Sequence, residues 1–183
     1  YNMIEKVLFS EEECDQIMNL EGGDWVETKN KNDRITSQNL AKIPERISSQ
    51  RKVFIQDNST ISEKLKEFGI KSVKIFETLQ NISFIIKYEK GGKFERHQDI
   101  GKGTEWRYKT LIVQLSNGND YEGGDLSIWD KNNNEIKIGK QKGNAVLFDA
   151  SSYHQLHPII SGTRYSLVMW LPYESFGISQ TML

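Results

Sequence analysis

From residue 82 onward, short runs rich in apolar and β-branched residues alternate with glycine- and asparagine-rich breaks. The runs are Ile82–Tyr88, Phe94–Asp99, Tyr108–Leu115, Leu126–Trp129, Glu135–Ile138, Ala145–Phe148 and Arg164–Leu171. The breaks fall at Gly91-Gly92, Asn117-Gly118-Asn119, Gly123-Gly124, Lys131–Asn134, Gly139 and Gly162. Runs of this length, punctuated by turn residues and with no helical period between them, predict antiparallel strands packed as a sandwich or jelly-roll barrel. Upstream the pattern differs. Ser10 before Glu11-Glu12-Glu13 reads as a helix cap with an acidic first turn, and Cys14, Ile17, Met18 and Leu20 make one apolar stripe ended by Gly22-Gly23. Ser59–Phe68 repeats that pattern through Ile61, Leu65 and Phe68, with Gly69 as its stop. Between them Glu27–Asn58 is polar and predicts loops with short strands, such as one at Val53-Phe54-Ile55. The expected organisation is one domain over residues 1–183, with helical support and loops over 1–80 and a β-rich core over 81–173.

Composition narrows the function classes. In 183 residues, 24 Lys and Arg balance 25 Asp and Glu, so no overall field draws in nucleic acid or an anionic membrane. No stretch is apolar over the length a membrane-spanning helix needs. The single cysteine, Cys14, excludes an internal disulfide. Without a recognisable leader, these features point to an intracellular, cytoplasmic setting.

The three histidines, His97, His154 and His157, all lie in the β-rich half. Residues two apart on a strand face the same way, so His97 and Asp99 can offer an imidazole and a carboxylate to one ion. His154 or His157 from a later strand would complete a two-histidine, one-carboxylate set, which leaves positions open on iron(II). On the last long run Arg164, Ser166, Val168 and Trp170 share one face, opposite Tyr165, Leu167, Met169 and Leu171. If the first face lines the barrel, a buried guanidinium there needs an anion, and a ligand carboxylate matches its planar fork. Gly123-Gly124 makes Tyr121–Asp125 a turn, and Asp125 and Asp149 are read as structural. Trp25, Trp129 and most phenylalanines are expected in the core. Two rival readings are a zinc-dependent hydrolase on the same donors and a non-catalytic jelly-roll binding module.

The order of these pieces carries a resemblance. His97-x-Asp99, then Asp120–Leu126, then Gly143–Phe148, then His154 with Pro158, Gly162 and Arg164, resembles the 2-oxoglutarate- and iron(II)-dependent oxygenases of the prolyl 4-hydroxylase and PKHD hydroxylase type. The likeness spans roughly Glu77–Pro172, including Glu77-Thr78-Leu79-Gln80 ahead of Tyr88, and Ser10–Leu20 resembles the family's N-terminal helix. It implies a mainly β double-stranded β-helix, the cupin-like jelly roll, with supporting N-terminal helices. It also implies that His97, Asp99 and His154 bind Fe(II), with His154 on the strand preceding the one that bears Arg164 and His157 left at the rim. Arg164 would bind the far carboxylate of 2-oxoglutarate, helped by Ser166. Tyr88 matches a tyrosine lining the co-substrate pocket. Gln114 stands where relatives place a tyrosine that binds 2-oxoglutarate, a departure from the pattern. Trp170 replaces a second arginine of the nucleic-acid dealkylases, so nucleic acid is not the expected substrate. Trp106 and Arg107 would sit on a loop over the iron. The implied reaction consumes O2 and 2-oxoglutarate, releases succinate and CO2, and hydroxylates an amino-acid side chain, prolyl or another. The substrate would be a peptide, a protein or a free amino acid, with ascorbate as a reductant and specificity in the loops Asn30–Arg51 and Gly101–Arg107.

Overall fold

The computed structural model describes residues 3–30, 43–55, 59–73, 77 and 82–179. The expectations for Thr78-Leu79-Gln80 and for residues 31–42 of the first specificity loop lie outside these. The chain begins with β1 (Ile4–Val7) and α1 (Glu11–Met18), followed by β2 (Val26–Asn30), β3 (Arg46–Lys52) and α2 (Ser59–Leu65), which runs into a 3-10 turn at Lys66–Phe68. The β-rich half follows as β4 (Ser83–Tyr88), β5 (Lys93–His97), β6 (Lys109–Gln114), β7 (Tyr121–Gly123), β8 (Leu126–Trp129) and β9 (Glu135–Lys137). It closes with β10 (Asn144–Asp149), β11 (His154–Leu156), β12 (Ile159–Gly162) and β13 (Arg164–Leu171). α1 starts as expected: the Ser10 hydroxyl accepts from the Glu13 amide and the Glu13 carboxylate accepts from the Ser10 amide, satisfying two otherwise orphan donors.

Among the described residues eleven strands form one antiparallel sheet in the order β1-β10-β6-β13-β4-β3-β5-β11-β8-β9, with β2 paired to β3, while β7 and β12 form a separate pair. The sheet curls on itself. Val146 and Phe148 of β10 cluster with Leu126 and Ile128 of β8 and Leu156 of β11, strands far apart in that order. Alternate residues of the central strands therefore enter two cores. Ile85, Leu111, Val113, Ala145, Leu147, Leu167, Met169 and Leu171 pack outward with Cys14 and Ile17 of α1 and Ile61 and Leu65 of α2. Ile86, Ile112 and Val146 face into the curl. All six residues of β6 are buried because helices cover one face and the interior of the curl the other. This is the mainly β, curled half-barrel expected of a jelly roll.

Several expectations need correction. The described part of the polar segment holds short strands, as expected, but not at Val53-Phe54-Ile55. β3 is the seven-residue strand RISSQRK, whereas Val53 makes only an isolated bridge to Gly22. β3 holds polar residues because its partners β2, β4 and β5 satisfy its backbone. Tyr121–Gly123 is a strand, not a turn, paired with β12 at Ile159–Gly162. β12 also lies between β11 and β13, so His154 is not on the strand preceding that of Arg164. Trp25 is 39% exposed: it sits beside the edge strand β2, with its ring against Tyr165 and near Arg51 and Lys87. Trp129 is half-buried and outside both cores, with Arg96 over its ring.

Candidate metal centre and adjoining pocket

Strand pairing assembles the centre. β11 lies between β5 and β8, and His154 is the direct partner of His97 across the ladder. The same register pairs Leu156 with Phe94, so three steps on β5 match two on β11. This bulge turns Phe94 and His97 to one side, and their rings stack at 3.5 Å and 9°. Asp99 lies just beyond β5, anchored because its amide donates to the Ala150 carbonyl.

The donor atoms of His97, Asp99 and His154 lie within 4.8 Å of one another. Each histidine Nε2 is 3.4 Å from Asp99 Oδ1. The far nitrogens determine what the near ones offer. His97 Nδ1 is 2.7 Å from the Glu95 carbonyl and His154 Nδ1 is 3.1 Å from the Ser152 carbonyl. A carbonyl only accepts, so both Nδ1 atoms carry the proton and both Nε2 lone pairs are left to bind a metal. Asp99 Oδ2 accepts from the Thr110 hydroxyl at 2.7 Å, which leaves Oδ1 facing the imidazoles.

The electrostatics agree. Burial opposes ionisation of Asp99, yet the adjacent His154 and His97 outweigh it and hold the carboxyl well below its usual range. Burial and the neighbouring His154 push His97 down, towards its neutral, ligating form. Burial also opposes the charge on His154, but contact with Asp99 prevails and raises it. With an ion taking the place of the proton that Asp99 favours on His154, two imidazoles and a carboxylate, all buried or nearly so, suit iron(II) with open positions and also suit zinc.

A pocket opens beside the triad, walled by Ile86, Ile112, Leu126 and Val168 and reaching Tyr88, Arg164 and Ser166. The four β13 residues expected on one face, Arg164, Ser166, Val168 and Trp170, all line it. Arg164 is 4% exposed and meets no carboxylate among the described residues. Its Nε donates to Gln114 Oε1 at 3.1 Å and its Nη1 to Ser166 Oγ at 3.3 Å, while its guanidinium lies 5.9 Å from the Tyr88 ring. Gln114 thus braces Arg164. Tyr88 is buried on the neighbouring strand, directly opposite Arg164 in the ladder, and burial pushes its phenol up. His157 lies apart from the triad, with Nε2 at 3.1 Å from Ser127 Oγ and 3.8 Å from Glu135. Asp125 pairs with Lys140 and Asp149 with Lys109.

Some contributors were not singled out beforehand. Thr110 orients Asp99; its place on the face shared with Ile112 and Gln114 was the available signal. Arg46 lines the pocket and sits over Phe94 at 4.9 Å. Arg107, which was expected on a loop over the iron, donates to the Asp99 carbonyl at 3.0 Å and stacks 4.0 Å over Trp170, tying the loop after Asp99 to β13.

Comparison with known proteins agrees with this geometry. Residues 83–172, which include all three triad residues and Arg164, match the signature of the 2OG-Fe(II) oxygenase superfamily. A PKHD-type hydroxylase of Methylobacillus flagellatus is 29% identical over 183 residues, covering 92% of this chain and 76% of the relative. A PKHD-type hydroxylase of Pseudomonas fluorescens is 32% identical over 104 residues, covering 53% of this chain. That match spans only 43% of the Pseudomonas fluorescens protein's length. The crystal structure of a Pseudomonas putida prolyl-4-hydroxylase superposes with a TM-score of 0.60 at 14% identity, covering 93% of this chain and 91% of that one. Signature and relatives converge on the strands that carry the triad: this chain belongs to the 2OG-Fe(II) oxygenase superfamily.

Proposed function

We propose that this protein is an Fe(II)- and 2-oxoglutarate-dependent dioxygenase that hydroxylates an amino-acid side chain, with peptidyl proline the leading candidate. The observation that carries this reading is the buried Arg164, facing the same pocket as a His97–Asp99–His154 donor set and meeting no acid among the described residues. A zinc hydrolase on those donors leaves Arg164-x-Ser166 and its spacing from the triad unexplained.

His97, Asp99 and His154 would hold the iron. When bound, iron and 2-oxoglutarate supply the oxidising chemistry: O2, the oxo acid and a C–H bond become succinate, CO2 and an alcohol. The protein's share is placement. Glu95 and Ser152 carbonyls keep both histidine Nε2 lone pairs on the ion, and Thr110 keeps Asp99 turned towards it. Arg164, braced by Gln114 and Ser166, would bind the far carboxylate of the oxo acid. The wall of Ile86, Ile112, Leu126 and Val168 excludes water from the reacting groups. The prolyl choice rests on the Pseudomonas putida prolyl-4-hydroxylase fold likeness and the PKHD-type relatives. Ascorbate is proposed as the reductant.

The test is 2-oxoglutarate consumption against prolyl peptides and free amino acids, with mass spectrometry of the products. Succinate formed in step with a product heavier by one oxygen atom is the expected result, and the absence of succinate with every substrate would defeat it. Arg164→Ala should keep the metal but weaken 2-oxoglutarate roughly 30-fold or more, because removing one side of a buried charge pair costs about 2–5 kcal/mol.

A further inference from the structure

We propose that the Tyr121 hydroxyl is a second donor to the far carboxylate of 2-oxoglutarate, held in place by Gln114. This rests on the reading of Arg164 as the anchor of that carboxylate. Beyond Arg164 lies a second, narrower pocket that shares Ile112, Leu126 and Arg164 with the first and whose polar groups include Gln114, Tyr121, Lys140 and Asn144.

Hydrogen accounting singles out one of them. Arg164 Nε can only donate, so the Gln114 oxygen must face it, at 3.1 Å. The Gln114 amide nitrogen therefore faces the other way. It donates to the Ser116 carbonyl at 3.2 Å and to the Tyr121 hydroxyl oxygen at 2.9 Å. Tyr121 thus receives a hydrogen and must direct its own elsewhere, and among the described residues nothing accepts it. Of the other polar groups, Asn144 Nδ2 uses both its hydrogens and Lys140 Nζ two of its three. Lys140 Nζ pairs with Asp125 at 2.7 Å and donates to the Gly123 carbonyl at 2.8 Å. Asn144 Nδ2 donates to Glu5 at 2.8 Å and to the Gly139 carbonyl at 3.0 Å.

The phenol is also held still. Tyr121 is 7% exposed, its strand pairs with β12 at Gly162, and the Gly124 backbone passes so close that a Cβ there would lie 3.0 Å from the ring. A fixed O–H with no acceptor, on the same cavity as an arginine with no acid, is a pre-organised place for a carboxylate. Gln114 does not touch the ligand in this scheme. As a positioning residue it fixes the directions of both donors at once, in place of a direct contact.

The test measures equilibrium binding by calorimetry on the iron(II)-loaded protein without oxygen, so that nothing turns over. 2-Oxoglutarate is compared with 2-oxobutyrate, which has the same metal-binding end and no far carboxylate. Tyr121→Phe should weaken 2-oxoglutarate about tenfold to a hundredfold, the usual loss for a hydrogen bond to a charged group, and leave 2-oxobutyrate within about threefold. Gln114→Met should reduce the same preference for the dicarboxylate. An unchanged 2-oxoglutarate affinity in Tyr121→Phe, alongside the loss expected in Arg164→Ala, overturns the role of Tyr121 alone. Equal weakening of both oxo acids by Tyr121→Phe also overturns it, as that is the mark of a structural defect. No loss in Arg164→Ala means that no carboxylate binds at this end and overturns both readings.

Discussion

At the scale of single residues, the centre depends on which nitrogen of each histidine carries the proton. Backbone carbonyls hold a proton of His97 and of His154 on Nδ1, so Nε2 is the atom that each ring turns towards an ion. His157 has no such arrangement, since its Nε2 is occupied by Ser127 and Glu135. Stoichiometric iron(II) binding, measured by equilibrium dialysis, should therefore be lost in His154→Ala and Asp99→Ala and retained in His157→Ala. Thr110→Val should keep the fold but weaken iron roughly 10- to 100-fold, because it frees Asp99 to rotate. Iron loss in His157→Ala alone would require a different ligand set and shift the alignment on which Arg164 rests.

At the scale of elements, alternation along strands made much of the architecture legible in the sequence. The shared face of Arg164, Ser166, Val168 and Trp170 lines one pocket, while Leu167, Met169 and Leu171 join the outer core. What alternation could not give was the bulge between β5 and β11. It places Phe94 against His97 although they are an odd number of residues apart. Nor could it give β3, whose polar sequence is held by backbone pairing on both sides, or the strand at Tyr121, which the paired glycines made look like a turn. The role proposed for Tyr121 was hidden for a further reason, since it depends on the direction of the Gln114 amide rather than on spacing. Glycine has a definite use at Gly143, where the chain enters β10. Its φ is +90°, and a Cβ would lie 1.9 Å from the Phe9 carbonyl oxygen. Gly143→Ala should therefore destabilise the protein by at least about 1–3 kcal/mol in chemical denaturation. Gly101→Ala, where the nearest atom would be 3.9 Å away, should change little. Equal effects at the two positions would show that backbone conformation at Gly143 is not the constraint.

At the scale of the whole molecule, the ligands link strands that the fold alone joins loosely. The triad comes from β5, the segment after it and β11, whereas Arg164 comes from β13, which lies across the curl between β4 and β6. A metal bound by the triad and an oxo acid spanning from that metal to Arg164 would bridge the two sides of the half-barrel. Ligands that bind only the folded state stabilise it by mass action, about 2.7 kcal/mol at a hundredfold excess over Kd. In a chain of this size that corresponds to a rise in Tm of roughly 5–10 °C. Thermal unfolding without oxygen should show one increment with iron(II) and a second when 2-oxoglutarate is added, with a chelator reversing both. Arg164→Ala should keep the first increment and lose most of the second, because the metal site is intact but the far carboxylate has no partner. His154→Ala should lose both, because without the ion the oxo acid keeps only its Arg164 end. If 2-oxoglutarate raised the Tm of His154→Ala as much as that of the unaltered protein, the oxo acid would be binding independently of the metal. The two halves of the site would then not act as one.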